Sequence, residues 1–370
     1  MAEGASKTIV LAAGGTGGHL FPAQALAEEL SRRGHRIHLM TDERVRDYGK
    51  SFPAVATHIV PSATLSPSQP LKLPGQLLRL HRGYVAARAV LQSVKPAAVV
   101  GFGGYPSFPP ILAAWRLGIP SCVHDQNAMM GRANRVLARL ATRVASSFPT
   151  LLGLPQSAAA KLVVTGNPVR DIALAERGAP YPDLVPGGPF RLLVFGGSQG
   201  AQFFGEFMPK VLAAMAPEVL KSIRLVQQVR PENLSQVKAL YDDLAVECEL
   251  QPFFMDMPKR IAAAHLVICR SGASTIAELG VIGRPAAMVP LPHALDNDQL
   301  RNAESFAAAG AGWIHPQASL EPAAFAAFLT QLRSEGEPLR RAAESAARAG
   351  RPDAARRLAD LTEQLAGVKT

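Results

Sequence analysis

TIVLAAGGTGGHLFPA, residues 8–23, runs from an apolar stretch through a cluster of glycines into a helical pattern. An unbroken apolar run of this length reads as a strand buried on both faces of a parallel sheet. Glycines between a strand and a helix start let backbone N–H groups and the helix dipole face an anion. RLLVFGGSQG, residues 191–200, repeats the arrangement in the second half of the chain. Two such openings, in a chain of 370 residues too long for one ordinary core, predict an α/β protein. The expected architecture is two Rossmann-like domains with a cleft between them.

Neither loop matches a familiar nucleotide signature. In Gly14-Gly15-Thr16-Gly17-Gly18-His19 the spacing GxGxxG fails because Leu20 stands where the third glycine belongs. Gly49-Lys50-Ser51 would complete a P-loop only with glycine at position 44, which is Arg44. Gly196-Gly197-Ser198-Gln199-Gly200 misses the dinucleotide spacing as well.

Apolar runs at 8–13, 36–40, 97–101, 121–124, 191–195, 223–227, 266–269 and 286–289 alternate with amphipathic stretches at 23–33, 84–94, 131–141 and 258–264. That alternation predicts βαβ units. The Pro- and Gly-dense segment GAPYPDLVPGGP, 178–189, reads as the interdomain linker, and residues 337–367 as a charged helical pattern packing back across the domains.

The chain carries 39 Lys and Arg against 29 Asp and Glu, a net charge of +10 that favours anionic partners. The arginines are dispersed and no recognition motif is present, so nucleic acid is not an expected partner. Three scattered cysteines, Cys122, Cys248 and Cys269, form no CxxC and suggest a reducing compartment. No signal peptide is legible, and Gly and Pro interrupt every long apolar stretch, so membrane contact is expected to be peripheral.

Several residues stand where chemistry could occur. His19 at the rim of the first loop is either structural or a general base. Gly101-Phe102-Gly103-Gly104-Tyr105 marks either close backbone packing or a further ligand loop. Glu278 either completes a capping box with Thr275 or accepts bonds from a ribose. Asp296-x-Asp298 resembles a metal-binding DxD, but it leads into a helix, where capping is expected.

Taken in order, GGTGGHLFPA (14–23), GFGGYPS (101–107), HDQNAMMGRANR (124–135), TGNPVR (165–170), FGGSQGA (195–201), CRSGASTIAELGVIGRPA (269–286) and DNDQLRNA (296–303) resemble the motifs of the MurG family, glycosyltransferase family 28. The resemblance implies the GT-B fold and an inverting transfer that needs no metal or other cofactor. GlcNAc would pass from UDP-GlcNAc to the MurNAc C4 hydroxyl of lipid I (undecaprenyl-pyrophosphoryl-MurNAc-pentapeptide), giving lipid II for peptidoglycan. It implies an acceptor and membrane domain at 1–168, a donor domain at 169–344, and a C-terminal helix at about 345–370 returning to the first. By motif, Thr16, Gly17, Gly18 and Asn127 would meet the donor sugar, Arg170 the donor phosphates, and Ser198 the same nucleotide. Phe254 would read uracil through its backbone. Ala273, Ser274, Thr275, Ile276, Ala277 and Glu278 would hold phosphate and ribose, and Gln299 the sugar hydroxyls.

His19 matches the base that deprotonates the acceptor. Asp125 is a second catalytic candidate, standing where the family usually reads HEQN rather than HDQN. The lipid tail of the acceptor implies a peripheral enzyme on the anionic cytoplasmic face of the inner membrane. Leu73, Leu77, Leu78, Leu80 and Tyr84 among Lys72, Arg79, Arg82 and Arg88 form an apolar patch ringed by cations that suits it. A UDP-GlcNAc 2-epimerase, which shares the fold and the donor, is the alternative activity.

Overall fold

Alternate residues of the first strand face two different cores, and this places it at the centre of a sheet covered on both sides. In the computed structural model, which describes residues 6–14, 17–43, 52–64, 70–197, 202–292 and 294–368, Ile9 and Leu11 pack with Leu20, Leu26 and Leu358. Val10 and Ala12 pack on the opposite face with Ala87, Leu91 and Ile111. The period-2 alternation of a strand makes this division obligatory once helices lie on both faces.

The chain divides into two units, Met1–Arg170 with Pro352–Thr370, and Asp171–Arg351. The first holds a sheet of β1 (Thr8–Ala12), β2 (Arg36–Thr41), β3 (Ala56–Ile59), β4 (Ala98–Gly101), β5 (Ser121–Asp125), β6 (Arg143–Ser146) and β7 (Leu162–Val164). Its order is β3-β2-β1-β4-β5-β6-β7, with every pairing parallel. The second unit holds β8 (Phe190–Phe195), β9 (Ile223–Gln228), β10 (Glu247–Gln251), β11 (Leu266–Cys269), β12 (Ala286–Met288) and β13 (Gly312–Ile314), ordered β10-β9-β8-β11-β12-β13 and also parallel. Both orders reverse direction once, beside the first strand of each unit. Ligands of open α/β sheets bind at that reversal, outside the carboxyl ends of the strands.

The eight strands legible as apolar runs are all present; the five others are short or marginal. β3, β7, β10 and β13 are sheet edges, half-buried and correspondingly less apolar, and β6 opens on exposed Arg143.

Two sequence expectations need correction. The 178–189 segment is not the crossing point between units, because the chain passes from one to the other at Arg170–Asp171. The segment is tied into the second unit instead: Tyr181 Oη donates to His265 O at 2.8 Å, and Arg284 Nη2 donates to Ala179 O and Pro180 O. Proline and glycine density reported an irregular path, not a free one. The charged C-terminal pattern is likewise two helices, Glu337–Ala349 in the second unit and Ala354–Leu365 in the first, broken at Gly350-Arg351-Pro352.

The last helix is fastened to its unit by charge as well as by Leu358 and Leu361. Glu363 accepts from His35 Nε2 at 2.8 Å and from Arg33 Nη1 at 2.7 Å, and Arg33 also meets Asp360 and Glu29. His35 and Glu363 are both buried. Glu363→Ala leaves His35 without its acceptor, at a cost of about 2 kcal/mol. The expected result is a lower melting temperature by circular dichroism, with Glu363→Gln closer to wild type.

Candidate functional site

The two strands that flank the reversal in the first unit, β1 and β4, pair at Ala12 and Gly101. Their following segments, the 14–19 loop and GFGGYPS, therefore emerge side by side. The first helix, Gly17–Arg32, begins earlier than its amphipathic pattern and carries His19 in its opening turn. Gly103 and Gly104 have positive φ values of 87° and 68°. A Cβ on Gly104 would lie 3.4 Å from His19 Nε2, and one on Gly103 would lie 3.1 Å from Asn134 Nδ2. The glycines thus turn the chain through a conformation that other residues rarely adopt while letting the imidazole edge approach the backbone. Both readings of this motif meet in one fact: the close packing is against the candidate base.

The HDQN segment closes round the same ring. His19 Nδ1 lies 2.9 Å from Gln126 Oε1. Gln126 Nε2 donates to His124 Nδ1 at 3.0 Å and to His124 O at 3.1 Å, and His124 Nε2 donates to Gly166 O at 3.0 Å. Burial pushes the His124 imidazole down to about 4, so its ring is neutral.

Asp125, offered above as a catalytic candidate, is buried with both oxygens engaged. Oδ1 accepts from Asn127 N at 3.1 Å, and Oδ2 accepts from Gly131 N at 3.0 Å and Asn134 Nδ2 at 2.9 Å. Burial raises its carboxyl above the usual range, and these three donors oppose the rise. Its geometry is that of a residue holding the 126–131 loop against the helix Arg132–Leu140, not of one meeting a reactant. The shorter side chain of Asp in place of Glu suits this short-range task.

Gly17 and Arg170 are joined through a residue the sequence reading passed over. A Cβ on Gly17 would stand 3.1 Å from the Phe21 ring, and the Arg170 guanidinium lies 3.9 Å from that ring's centroid. Stacking on the aromatic face fixes a planar cation's direction. Gly18 lies in the same helical turn and Asn127 follows the Asp125 hinge. Thr16 lies outside the described residues.

In the second unit β8 and β11 pair at Phe195 and Cys269, so the 196–200 loop and the 270–272 turn start together. Ser198 lies outside the described residues. Gly196 N donates to Gln228 Oε1 at 3.3 Å, and Gln228 Nε2 donates to Pro252 O at 3.1 Å, linking this loop to the one carrying Phe254. Phe254 is buried under Arg260, whose guanidinium is 4.4 Å from the ring centroid.

The helix Ala273–Ile282 has Gly272 at its N-cap, which offers no capping side chain. Its first-turn amides and positive dipole end lie just beyond β11, the arrangement that favours phosphate. Thr275 is therefore inside the helix, and the capping-box reading of Glu278 fails on position. Ala273, Ile276 and Glu278 are buried and Ser274, Thr275 and Ala277 half-buried. Ser271 Oγ donates to Gln299 O at 2.7 Å, joining this turn to the helix Asp298–Ala308, while Leu291 N donates to Gln299 Oε1 at 3.0 Å. Asp296 and Asn297 both adopt left-handed backbone before that helix, and its cap, Asn297, makes no side-chain cap bond. Asp298 Oδ1 accepts from Gln299 N at 2.7 Å.

Arg270 was not singled out in the sequence. Buried, it donates to Val289 O, Pro290 O and Gln317 Oε1, fastening the loops after β12 and β13. Removal from water lowers its pKa from the ordinary arginine value.

Two parallel doubly wound units, each with glycine-rich segments at its reversal point, define the class of protein to which GT-B glycosyltransferases belong. The chain is a member of glycosyltransferase family 28: that family's N-terminal domain matches residues 9–146 and its C-terminal domain residues 191–358. It is 50% identical over 369 residues, 99% of this chain and 97% of the relative, to the UDP-N-acetylglucosamine–N-acetylmuramyl-(pentapeptide) pyrophosphoryl-undecaprenol N-acetylglucosamine transferase of Mesorhizobium japonicum. The protein of the same name from Rhizobium johnstonii is 48% identical over the same shares. Among solved structures, MurG of Acinetobacter baumannii is similar with a TM-score of 0.76 at 30% identity, covering 97% of this chain and 99% of that one. A UDP-GlcNAc 2-epimerase from Neisseria meningitidis shares the fold at TM-score 0.66 and 14% identity, over 96% of this chain and 98% of its own.

Gly104→Ala should keep the fold but strain the 103–104 turn and crowd His19 Nε2. A fall in turnover of at least tenfold, with a melting temperature within a few degrees of wild type, is the expected outcome.

Proposed function

We propose that this chain transfers GlcNAc from UDP-GlcNAc to the MurNAc C4 hydroxyl of lipid I, producing lipid II with inversion at the anomeric carbon. The observation that carries the proposal is about 50% identity, along essentially the whole chain, to relatives named for that transfer. His19 is the proposed base. It takes the proton from the C4 hydroxyl as that oxygen attacks the anomeric carbon, and the bond from that carbon to the UDP phosphate oxygen breaks. The leaving UDP carries away the bonding electron pair. Arg170, levelled on Phe21, supplies positive charge to the departing diphosphate.

The donor reading of the second unit rests on the uncapped turn at Ala273–Thr275 for phosphate, Glu278 for ribose, the backbone at Phe254 for uracil and Gln299 for the sugar. Thr16, Gly17, Gly18, Asn127 and Ser198 complete the proposed set. Asp125 acts in it by holding Asn127 in place.

We place the enzyme at the cytoplasmic face of the inner membrane. No helix among the described residues is long and apolar enough to cross it. The supporting feature is the helix Leu73–Val94, which buries only Gly83, Ala87 and Leu91 and leaves its first half outward. Leu71 is 96% exposed, Leu77 55% and Leu78 51%, with Lys72, Arg79, Arg82 and Arg88 exposed beside them. Leu73, Leu80 and Tyr84 are half-buried, so part of the patch read from sequence serves the core. Apolar area ringed by cations favours an anionic lipid surface.

Incubation with UDP-GlcNAc and a short-chain lipid I analogue should yield the β-1,4-linked disaccharide and UDP. UDP-ManNAc formed without acceptor would instead establish the epimerase. Glu278→Ala is expected to raise KM for UDP-GlcNAc about tenfold or more with little change in thermal stability. Replacing Leu77 and Leu78 together by Asp should weaken sedimentation with phosphatidylglycerol vesicles severalfold, leaving turnover of a water-soluble acceptor intact.

A further inference from the structure

We propose that Gln126 and His124 are positioning residues that fix the tautomer of His19, holding its proton on Nδ1 and leaving the Nε2 lone pair as the base. This rests on the reading of His19 as the base of GlcNAc transfer.

Groups whose hydrogen-bonding role cannot change fix the direction of every bond that follows. Gly166 O is a carbonyl and can only accept, so the His124 nitrogen 3.0 Å away, Nε2, must carry a proton. His124 is completely buried and neutral, so its Nδ1 is bare and accepts. The Gln126 atom facing that nitrogen must then be the amide N–H, and this is secured independently. The same atom lies 3.1 Å from His124 O, another carbonyl that can only accept. Two fixed acceptors therefore select one orientation of the Gln126 amide, and its flipped form would set oxygen against oxygen.

With the amide so oriented, Gln126 Oε1 faces His19 Nδ1 at 2.9 Å and can only accept, so the His19 proton sits on Nδ1. Nε2 is the nitrogen on the Gly104 side of the ring, where the glycine leaves the approach clear of a side chain. Every polar atom of the Gln126 side chain is used within this chain of bonds, and the amide itself is buried. Its place is thus beside the base and not on the substrate. A carboxylate would bring repulsion against His124 O; a neutral amide donates on one side and accepts on the other.

The test reads the tautomer directly. Nine histidines are present, and His19 is assigned in a 15N-histidine spectrum by its loss in His19→Gln. In the wild-type protein the expected pattern is a protonated Nδ1 and a bare Nε2. Gln126→Leu should shift His19 towards the Nε2–H form. It should lower kcat tenfold to a hundredfold, with KM for UDP-GlcNAc within twofold. His124→Phe, whose ring fits beside Phe102, removes one anchor but keeps the His124 O contact, so a smaller loss in the same direction is expected.

A wild-type His19 protonated on Nε2 would overturn the proposal. So would a folded Gln126→Leu enzyme with unchanged kcat, or one whose defect lies in KM for UDP-GlcNAc. Should the wild-type protein show the Nδ1–H tautomer yet transfer no GlcNAc to the lipid I analogue, the relay stands and the functional reading falls.

Discussion

A parallel strand pair whose following segments lead into different layers opens a gap at its carboxyl end, and each half of this chain is built round one such pair. Register supplies the rest. Ala12 opposite Gly101 starts two glycine-rich segments from the same level, and Phe195 opposite Cys269 does so in the second unit. Because Ile9 and Leu11 serve one core and Val10 and Ala12 the other, slipping β1 by one residue would exchange its packing faces. The same packing that excludes water from the sheet therefore fixes where the loops emerge.

Several polar groups brought to these strand ends are committed to one another. Asp125 spends both oxygens on its own loop and the helix after it, Gln126 both amide atoms on two histidines, and Arg270 its two terminal nitrogens on the loops after β12 and β13. Such satisfaction is required of buried polar atoms, since an unmet one costs about 1–3 kcal/mol. It also rigidifies the groups beside them: the imidazole of His19 against Gln126, the cation of Arg170 on Phe21, and the helix start at Ala273. Rigid placement of donors and bases before the substrate arrives is how such sites lower a barrier.

Strand centres were legible because burial on both faces writes an apolar run; β3, β7, β10 and β13 were not, because an edge needs less apolar surface. The 178–189 segment shows the opposite error. Its composition described an irregular backbone, but whether such a backbone is free or pinned depends on the contacts it makes with His265 and Arg284, which are remote in sequence. The capping-box alternative for Glu278 rested on the spacing from Thr275, yet the helix starts two residues before Thr275, at Ala273. Spacing alone does not say which residue begins the helix.

By itself the sequence determined the α/β class, the two glycine-rich openings and, through seven ordered motifs, the family and its donor. Those are written in local patterns: a run of apolar residues, a glycine where backbone must turn, a fixed order of short motifs. It also carries His124 and Gln126 two apart. Only the tertiary structure decided what that spacing is for. The bonds from His19 to Gln126, 107 positions away, and from His124 to Gly166, 42 away, exist because the parallel sheet brings those strand ends together. The direction of a hydrogen bond, and with it the position of a proton, depends on the carbonyl at the far end of the chain of bonds. No local pattern carries that information.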